Sequence, residues 1–387
     1  MRITDTIVYV GVDDHKIDIF EGQFDVPNGM AYNSYAILDE KIAVMDSVDA
    51  GFGEEWLSNI KNALGGKSPD YLVVQHMEMD HSANIKKFSE AYPQAKIVSS
   101  KMSFMMMKSY FGTDFADRRI VVSEGSRLEL GNHVLNFIEA ANVHWPEVLF
   151  TYESTEKVLF SADGFGKFGA NDYDDPEGWA CEARRYYFGI VGKFGESVRA
   201  ALKKAAGLEI KAIAPLHGPV LTENLQYYIE TYSTWSSYGV ESEGVTIAYT
   251  SVYGNTKKAA EKLAEILKAK GCPKVALNDL VREDIYECVE DAFRYGKLVL
   301  AATTYNGGVF PKMREFIEHL TERNYQNRTI ALIENGSWAP LAGNAMSSMF
   351  KNSKNIQILP EKVSMRIAMT DETVAQLEKL ADELLGA

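Results

Sequence analysis

The segment YLVVQHMEMDH, residues 71–81, places two histidines and two carboxylates directly after an apolar run. The apolar run predicts a buried strand, and a helix is expected to begin at about Ser82, so the polar residues occupy the loop between them. Alternate residues of an extended chain project to the same side, which would direct His76, Glu78 and Asp80 into one cavity. Because burying so many polar groups is costly unless something binds them together, the pattern predicts a metal site.

Further candidate ligands stand where other predicted strands end. His144 follows the strand-like run 133–140, Asp163 closes the run 157–163, and His217 follows the run AIA at 212–214. Strand ends on one edge of a sheet converge, so these scattered positions can build one site. The complete candidate set is His76, Glu78, Asp80, His81, His144, Asp163 and His217.

Seven ligands suit two metal ions that share a bridging carboxylate. The set contains no thiolate, and oxygen ligands mixed with imidazoles favour iron or manganese, with zinc as the alternative. The other three histidines have a simpler interpretation. His133 is expected to be structural or solvated, and His15 and His319 are expected at the surface.

The first part of the chain alternates strand-like runs with helices, which indicates an α/β fold with mixed sheets. Residues 34–38 and 42–46 predict a hairpin, and residues 176–207 are predicted to be mainly helical. The polar, glycine-bearing segment SYGVESEG at 237–244 is the best candidate linker. After it, strands and helices alternate regularly up to a closing helix at 371–387, which indicates a doubly wound parallel sheet.

The segment TSVYGNT, residues 250–256, follows the first strand of this second part and opens a helix. Its glycine permits a tight turn, and its hydroxyl and backbone N–H groups suit a phosphate at a helix N-terminus. The simpler alternative is an ordinary N-capped turn. The loops 303–308 and 335–339 also follow strands, and their aromatic and glycine residues suit a flat ring. The candidate cofactor-binding residues are Thr250, Ser251, Val252, Tyr253, Gly254, Asn255, Thr256, Thr303, Thr304, Tyr305, Asn306, Gly307, Gly308, Asn335, Gly336, Ser337, Trp338 and Ala339.

Composition excludes several classes of protein. The 387 residues carry 40 basic and 54 acidic side chains, a net charge of −14, which disfavours nucleic acid and anionic membranes as partners. Only three cysteines occur and none form a CxxC pair, so a thiolate zinc site or an iron–sulfur cluster within this chain is not expected. No apolar stretch is long enough to span a bilayer, and we expect a cytoplasmic protein.

The H-x-E-x-D-H run, the later His144, Asp163 and His217, and the three loops of the second part resemble the flavodiiron proteins, also called type A flavoproteins. The resemblance implies a metallo-β-lactamase-like αββα sandwich at 1–240 and a flavodoxin-like FMN-binding domain at 245–387. It also implies one iron held by His76, Glu78 and His144, a second held by Asp80, His81 and His217, and Asp163 bridging them. In some family members the histidine at the position of His81 does not reach its metal.

The resemblance further implies an oxidoreductase that reduces dioxygen to water, nitric oxide to nitrous oxide, or both, with electrons from FMN. The implied partners are an external electron donor, such as rubredoxin or a reduced deazaflavin, and a second copy of the chain in a head-to-tail homodimer or dimer of dimers. Related zinc hydrolases carry histidine where this chain has Glu78, which favours iron. A zinc hydrolase fused to a flavodoxin domain remains the first alternative, and an electron carrier with a vestigial metal domain the second.

Trp338 is the candidate ring-stacking residue, with a core or interface role as its alternative. Trp145 and Phe165 are candidates for the cavity wall or for plain packing.

Overall fold

The computed structural model describes residues 2–386, which form two compact units. The first comprises the chain up to Tyr187 together with Phe194–Ser233, and the second comprises Phe188–Lys193 together with the chain from Thr234 onward. The domain limits 1–240 and 245–387 stay a prediction, and their outermost residues, Met1 and Ala387, lie outside the described residues.

The first unit contains fifteen short strands and seven helices among its described residues. The strands are β1 (Ile7–Tyr9), β2 (Val12–Asp14), β3 (Ile19–Phe20), β4 (Phe24–Asp25), β5 (Met30–Tyr32), β6 (Tyr35–Ile37), β7 (Ala43–Met45), β8 (Tyr71–Val73), β9 (Lys96–Ser100), β10 (Arg119–Val122), β11 (Arg127–Glu129), β12 (Val134–Glu139), β13 (Leu149–Glu153), β14 (Val158–Phe160) and β15 (Ala212–Ala214). The helices are α1 (Gly53–Ala63), α2 (Met79–Ser82), α3 (Ile85–Ala91), α4 (Lys101–Phe111), α5 (Trp179–Tyr186), α6 (Gly195–Ala205) and α7 (Leu225–Ser236), the last of which continues past the limit of the unit.

Two sheets pack face to face in this unit. One has the order β1-β6-β7-β8-β9-β10 and the other the order β11-β12-β13-β14-β15. Met45 and Val98 of the first sheet share a core with Phe137, Leu149 and Phe160 of the second, and all five are almost fully buried. Helix α4 contacts β9 and helix α6 contacts β12. This is the expected αββα sandwich, in which each sheet buries its apolar face against the other.

The local predictions for this unit have mixed outcomes. The hairpin is confirmed, since β6 and β7 pair antiparallel with Tyr35 opposite Met45. The segment 176–207 is less regular than expected, because a π-helical turn at Tyr187–Val191 and a 3₁₀ turn at Gly192–Phe194 separate α5 from α6. Strands β1–β5 are too short to show a clear period in the sequence.

The second unit is a doubly wound parallel sheet. Its strands are β16 (Ser242–Tyr249), β17 (Val275–Asp279), β18 (Tyr295–Tyr305), β19 (Gly308–Val309), β20 (Arg328–Asn335) and β21 (Ile356–Met365), and its helices are α8 (Asn255–Ala269), α9 (Ile285–Arg294), α10 (Pro311–Glu322), α11 (Ala342–Met349) and α12 (Asp371–Gly386). The order β17-β16-β18-β20-β21 is parallel throughout. The closing helix is confirmed up to Gly386, and its last predicted residue, Ala387, lies outside the described residues.

Both faces of this sheet are covered. Val299 packs with Leu263 of α8 and Leu377 of α12, whereas its neighbours Leu298 and Leu300 face the side on which α9 contacts β18. All three strand residues are completely buried. A central parallel strand therefore carries an unbroken apolar run, as expected where helices cover both faces.

The predicted linker is partly ordered as sheet, because β16 already begins at Ser242. The buried Arg328 guanidinium donates hydrogen bonds to the carbonyl oxygens of Tyr238 (2.8 Å), Gly239 (2.9 Å) and Tyr295 (2.9 Å). One side chain thus fixes residues just before β16 to the start of β18. No helix in the part of the chain that the structure describes is long and apolar enough to cross a membrane.

Candidate metal centre and flavin pocket

The candidate metal ligands leave the carboxyl ends of strands in both sheets. The loop after β8 carries His76 and Glu78, and the short helix α2 carries Asp80 and His81. Helix α2 begins at Met79 rather than at about Ser82, so the expectation of an extended chain through Asp80 is wrong. The extended conformation ends at Glu78, and Asp80 instead projects from the first helical turn.

One cluster combines His76, Glu78, His144 and Asp163. The His76 Nε2 atom lies 3.3 Å from Glu78 Oε2 and 3.1 Å from Asp163 Oδ2. The His144 Nε2 atom lies 2.9 Å from Glu78 Oε2 and 3.1 Å from the same Asp163 oxygen. Two imidazole nitrogens and two carboxylate oxygens therefore face a common point.

A second cluster combines Asp80, His81 and His217. The Nε2 atoms of both histidines lie 3.2 Å from Asp80 Oδ2 and 3.0 Å from each other. The Oδ1 atom of Asp163 lies 3.4 Å from the His81 nitrogen and 3.9 Å from the His217 nitrogen. Asp163 thus directs one oxygen toward each cluster, which is the placement that a bridging carboxylate requires.

The donor set fits two metal ions. With metal–ligand bonds of about 2.1 Å, neighbouring ligands on one ion lie about 3 Å apart, which is the spacing seen in both clusters. Both carboxylate oxygens of Asp80 and of Asp163 are buried and receive no hydrogen bond from the residues that the structure describes. A buried carboxylate without donors is costly unless a cation faces it, so these atoms are suited to bind metal ions.

The pKa values of the candidate ligands are shifted because carboxylates and imidazoles lie close together in a buried site. Burial alone would raise the pKa of Asp163, but the surrounding imidazoles, foremost His76, lower it well below its usual range. Burial lowers the pKa of His144, but the carboxylates of Asp163 and Glu78 outweigh this effect and raise it to about 9. The carboxylates therefore favour cationic charge at the positions that face them.

Two histidines are oriented by hydrogen bonds at Nδ1, while their Nε2 atoms face the clusters. The His76 Nδ1–H group donates to Glu147 Oε1 at 2.9 Å, and the same oxygen accepts the Met77 backbone N–H at 2.9 Å. The His217 Nδ1–H group donates to the carbonyl oxygen of Ala31 at 2.7 Å. These bonds leave Nε2 of each ring for a metal ion. The buried Nδ1 of His81 has no hydrogen bond to any described residue.

Sequence analysis missed Glu147 and Asp46, which support the loop that carries His76. Asp46 lies in the left-handed region at φ 53° directly after β7 and accepts the Gln75 backbone N–H at 2.7 Å. Burial raises the pKa of Asp46 to about 6. Glu147 follows His144 by three residues, a spacing that carries no recognisable signal. Both residues act through tertiary contacts that a single sequence does not reveal.

Aromatic side chains surround the imidazoles. The Trp145 ring lies 5.3 Å from that of His76, and the Phe20 and Tyr186 rings lie 5.6 Å and 5.4 Å from that of His217. Trp145 therefore contacts the centre as a wall residue would. Such a wall limits the access of water to the two clusters.

The remaining histidines lie outside both clusters. His133 is buried, and its Nδ1 atom lies 3.1 Å from Glu153 Oε1. His15 is exposed beside Asp172, as expected for a surface histidine. His319 is half-buried, and its ring lies 5.0 Å from that of Tyr286.

In the second unit, two cavities of about 320 Å³ and 250 Å³ lie at the carboxyl ends of β16, β18 and β20 and share four lining residues. Of the predicted cofactor-binding residues, all except Thr250, Gly254 and Gly308 line one or both cavities. Gly254 instead provides the left-handed turn, at φ 86°, that starts α8. The Thr250 hydroxyl is buried and has no hydrogen bond to the described residues. A hydroxyl-bearing loop at a helix N-terminus fits the phosphate of FMN.

The other two loops form the sides of the pocket. Asn306 and Gly307, both left-handed at φ 49° and 72°, make the tight turn that joins β18 to β19. The Trp338 side chain is 85% exposed, which excludes the core alternative and leaves it available to stack on a ring or to meet a partner. The Thr304 hydroxyl accepts the N–H groups of Leu341 (2.9 Å) and Ala342 (3.1 Å), so it supports the third loop.

Ile367 is a pocket residue that sequence analysis missed. It follows β21, lies in the left-handed region at φ 69°, and lines the 250 Å³ cavity. The side-chain amide of Asn335 donates to the Ile367 carbonyl at 2.9 Å and accepts the Ile367 N–H at 3.0 Å. Asn335 therefore holds the backbone of Ile367 in place. This residue was missed because β21 itself was not predicted.

Comparisons with known proteins agree with the folds of both units. The family model described as ODP family beta lactamase matches residues 30–218, and that of the flavodoxin domain matches 246–365. A nitric oxide reductase from Moorella thermoacetica is 30% identical over 370 residues, which cover 93% of this chain and 92% of the relative. The rubredoxin oxygen:oxidoreductase from Desulfovibrio gigas superposes with a TM-score of 0.92 at 25% identity, covering 99% of this chain and 97% of the other. The flavodiiron protein from Giardia intestinalis gives a TM-score of 0.89 at 26% identity, covering 99% and 95%.

The first unit combines the sandwich with two clusters of candidate metal ligands, and the second combines the flavodoxin sheet with a pocket. Together these features define an oxidoreductase that uses a dinuclear metal centre and a flavin. The chain belongs to the flavodiiron protein family. The expected cofactors, FMN and a non-haem diiron centre, are thereby confirmed as those of its class.

We expect Glu147→Gln to lower the affinity for iron about 10- to 100-fold, because an outer carboxylate fixes the ring orientation and basicity of His76. Competition with a chelator, followed by counting iron per chain, measures the effect. The matched control is Glu153→Gln, which alters a buried carboxylate–imidazole pair outside both ligand clusters, 3.1 Å from His133. Equal iron affinity in both variants would contradict an orienting role for Glu147.

We expect Asn335→Ala to weaken FMN binding about tenfold, since losing two hydrogen bonds to the Ile367 backbone costs about 1.4 kcal/mol. Quenching of flavin fluorescence during titration of the apoprotein gives the dissociation constant. The control is Asn355→Ala, which removes an exposed amide that bonds to Asn327 Oδ1 at 3.0 Å. An unchanged FMN affinity in Asn335→Ala would show that the Ile367 segment does not shape the pocket.

Proposed function

We propose that this protein reduces dioxygen, nitric oxide, or both, at a diiron centre that receives electrons from FMN. The observation that carries the proposal is Asp163, whose two buried oxygens face two separate clusters of imidazole and carboxylate ligands. The names of two relatives support it, since one is called a nitric oxide reductase and the other a rubredoxin oxygen:oxidoreductase.

In this proposal, His76, Glu78 and His144 hold one iron, Asp80, His81 and His217 hold the other, and Asp163 bridges them. Glu78 supplies an anionic oxygen at 2.9 Å from the His144 nitrogen, and such hard ligands favour iron over zinc. Two ferrous ions supply two electrons and reduced FMN supplies two more, which matches the four-electron reduction of dioxygen to water.

The side chains of this unit have three tasks. Glu147 and the Ala31 carbonyl keep the Nε2 atoms of His76 and His217 directed at the centre. The rings of Trp145 and Tyr186 lie beside those of His76 and His217 and limit the entry of water. Asp80 and Asp163 provide the negative charge that retains two cations in a buried site.

The test is anaerobic and compares Asp163→Asn with the wild type. After full reduction, the wild type should turn over with dioxygen or nitric oxide, and Asp163→Asn should lose at least about a hundredfold in turnover because the bridging charge is gone. FMN content should stay equal, since Asp163 belongs to the first unit. The control is Asp117→Asn, which changes an exposed aspartate.

Metal analysis of the same preparations separates this proposal from its alternative. Two irons per chain and gas-dependent reoxidation support the reductase. Two zincs per chain, no reaction with either gas and hydrolysis of a model ester would instead establish a zinc hydrolase fused to a flavodoxin domain.

We further propose a head-to-tail homodimer in which the flavin of one chain faces the metal centre of its partner, with rubredoxin or a reduced deazaflavin as donor and the cytoplasm as location. Exposed apolar side chains flank both sites: Trp338 (85%) and Tyr253 (92%) at the flavin pocket, and Met79 (45%) between Glu78 and Asp80. Apolar groups exposed at functional sites indicate contact surfaces. The dimer interface would cover these groups and shorten the path of the electrons.

We expect Trp338→Glu and Met79→Glu each to shift the protein toward monomers in sedimentation experiments, because each places a charge in the proposed interface. Reoxidation of the flavin by gas, expressed per bound FMN and per bound iron, should slow in proportion to the monomer fraction, because Trp338 also lines the flavin pocket and Met79 lies between two proposed ligands. The control is Val240→Glu. Val240 is exposed and precedes β16, so it lies near the amino ends of the strands, whereas the flavin pocket lies at their carboxyl ends. A monomer that retains full turnover would rule out the dimer.

A further inference from the structure

Four aromatic rings that can be oxidised extend from the interior of the first unit to its surface. Tyr232, Trp179, Tyr228 and Tyr227 are called the aromatic row below. The centre of the Trp179 ring lies 6.2 Å from that of Tyr232 and 4.8 Å from that of Tyr228. The Tyr228 and Tyr227 rings lie 5.3 Å apart. Tyr232 is 1% exposed and Tyr227 is 43% exposed, so the row connects the core with solvent.

The inner end of the row is bonded to the segment that carries the proposed bridging ligand. The Phe165 N–H group donates to the Tyr232 hydroxyl at 2.6 Å, and the Phe165 carbonyl accepts the Trp179 indole N–H at 3.2 Å. Phe165 follows Asp163 by two residues, and the Gly166 N–H closes this turn by donating to the Asp163 carbonyl at 3.1 Å. Electrons tunnel more readily along covalent and hydrogen bonds than across an open gap. Each inner ring is therefore coupled to Asp163 through one hydrogen bond and a few bonds of the main chain.

Contacts through space place the inner end of the row beside the centre as well. The His217 ring lies 5.4 Å from that of Tyr186, and the ring of the next residue, Tyr187, lies 5.1 Å from that of Tyr232. Burial raises the pKa of the Tyr232 hydroxyl, and the negative charge of Asp163 raises it further. The bridging carboxylate thus acts on the inner ring through the protein interior.

The rings of the row differ in what happens to the proton when an electron is removed. An indole can lose an electron and keep its N–H, so Trp179 can be oxidised while it stays bonded to Phe165. A phenol is oxidised more readily if it also releases its proton, and the exposed Tyr227 can release its proton to water. An oxidising equivalent that enters the row would therefore move outward and come to rest at the surface.

We propose that the aromatic row carries oxidising equivalents from the metal centre to the surface when dioxygen reacts while reduced FMN is lacking. The inference rests on the proposed function, because it needs a centre that reacts with dioxygen. Reduction of one dioxygen to water takes four electrons, of which two ferrous ions supply two. The row supplies the other two, one at a time.

A thiol in solution restores the row. Each oxidised Tyr227 takes one electron and one proton from a thiol, and two thiols thereby become one disulfide. Their two electrons, the two electrons of the irons and four protons, two of them from the thiols and two from solvent, complete two molecules of water. Without this route the same oxidising equivalents would attack the ligands and the side chains nearest to the centre.

A spin trap locates the radical that the row would carry. The holoenzyme is loaded anaerobically with ferrous iron while its FMN stays oxidised, and it is then mixed with dioxygen and a nitroso spin trap in the absence of thiol. Peptide mass spectrometry should find the trap on Tyr227 or Tyr228, and freeze-quench EPR should show a radical of an aromatic side chain. Tyr173, which is exposed to a similar extent (45%), should carry no trap. A row without trap, or equal trapping at Tyr173, would overturn the proposal.

Trp179→Phe interrupts the row, because a phenylalanine ring is much harder to oxidise than an indole. The variant should lose trapping at Tyr227, and with limiting donor it should complete severalfold fewer turnovers before inactivation. With donor in excess, its turnover should equal that of the wild type. The matched control is Trp56→Phe, which changes another buried indole, bonded to Ser34 Oγ at 2.9 Å and 5.7 Å from the Phe88 ring. Trapping at Tyr227 that persists in Trp179→Phe would refute the route.

The double variant Tyr227→Phe/Tyr228→Phe tests the outer end and keeps the proposal testable if Trp179→Phe does not fold. It should leave the radical on Trp179 and inactivate early, at unchanged iron and FMN content, whereas Tyr173→Phe should match the wild type. Inactivation of the double variant at the wild-type rate would overturn the protective role. A wild type that consumes nitric oxide but does not react with dioxygen refutes this inference alone. A wild type that reacts with neither gas refutes the proposed function.

Discussion

The buried carboxylate of Asp163 is the constraint on which the rest of the first unit depends. It is completely inaccessible to solvent, and four imidazoles and two further carboxylates gather around it. A charge in such a position is tolerated only if opposite charges approach it with good geometry. The fold must therefore deliver ligands from distant parts of the chain to within about 3 Å of one another. The two packed sheets do so because β8 and β14 both end at the same edge of the sandwich.

The supporting contacts extend this constraint outward. Asp163 does not fix the orientation of the surrounding rings alone. The His76 ring is also held by its hydrogen bond to Glu147, and the His217 ring by its hydrogen bond to the Ala31 carbonyl. The loop that carries His76 depends in turn on Asp46, which is held in a left-handed conformation after β7. Each of these supporting groups is itself polar and buried. The free energy lost by removing it from water is offset by the hydrogen bonds that it makes to the next group outward. The metal centre is thus tied to the strand ends of the first sheet.

The sequence indicates the candidate ligands and cofactor contacts better than the residues that hold them in place. The H-x-E-x-D-H run and the three flavin loops are local patterns, so their positions at strand ends were predicted. The start of α2 was misplaced because Glu78 ends the extended chain without any typical capping side chain. Strand β21 was missed because Pro360 interrupts it and because, at the edge of the sheet, it carries a less continuous apolar run than β18 does. Glu147, Asp46 and Ile367 act across long sequence separations, where a single sequence gives no signal.

The hydrogen bonds divide the predicted site residues into two kinds. Thr304 and Asn335 belong to the flavin motifs, yet their side chains are already bonded to the backbones of Leu341 and Ile367. Such residues shape the pocket, and the Thr304 hydroxyl, which already accepts two N–H groups, can still donate its own proton to a cofactor. The buried oxygens of Asp80 and Asp163 accept no hydrogen bonds from residues 2–386, which the structure describes. Since a buried polar atom without a partner is costly, these atoms are where binding of a cofactor gains the most free energy. The cofactor therefore completes the polar interactions of the fold, and the same atoms that make the apoprotein less stable are those that select metal ions.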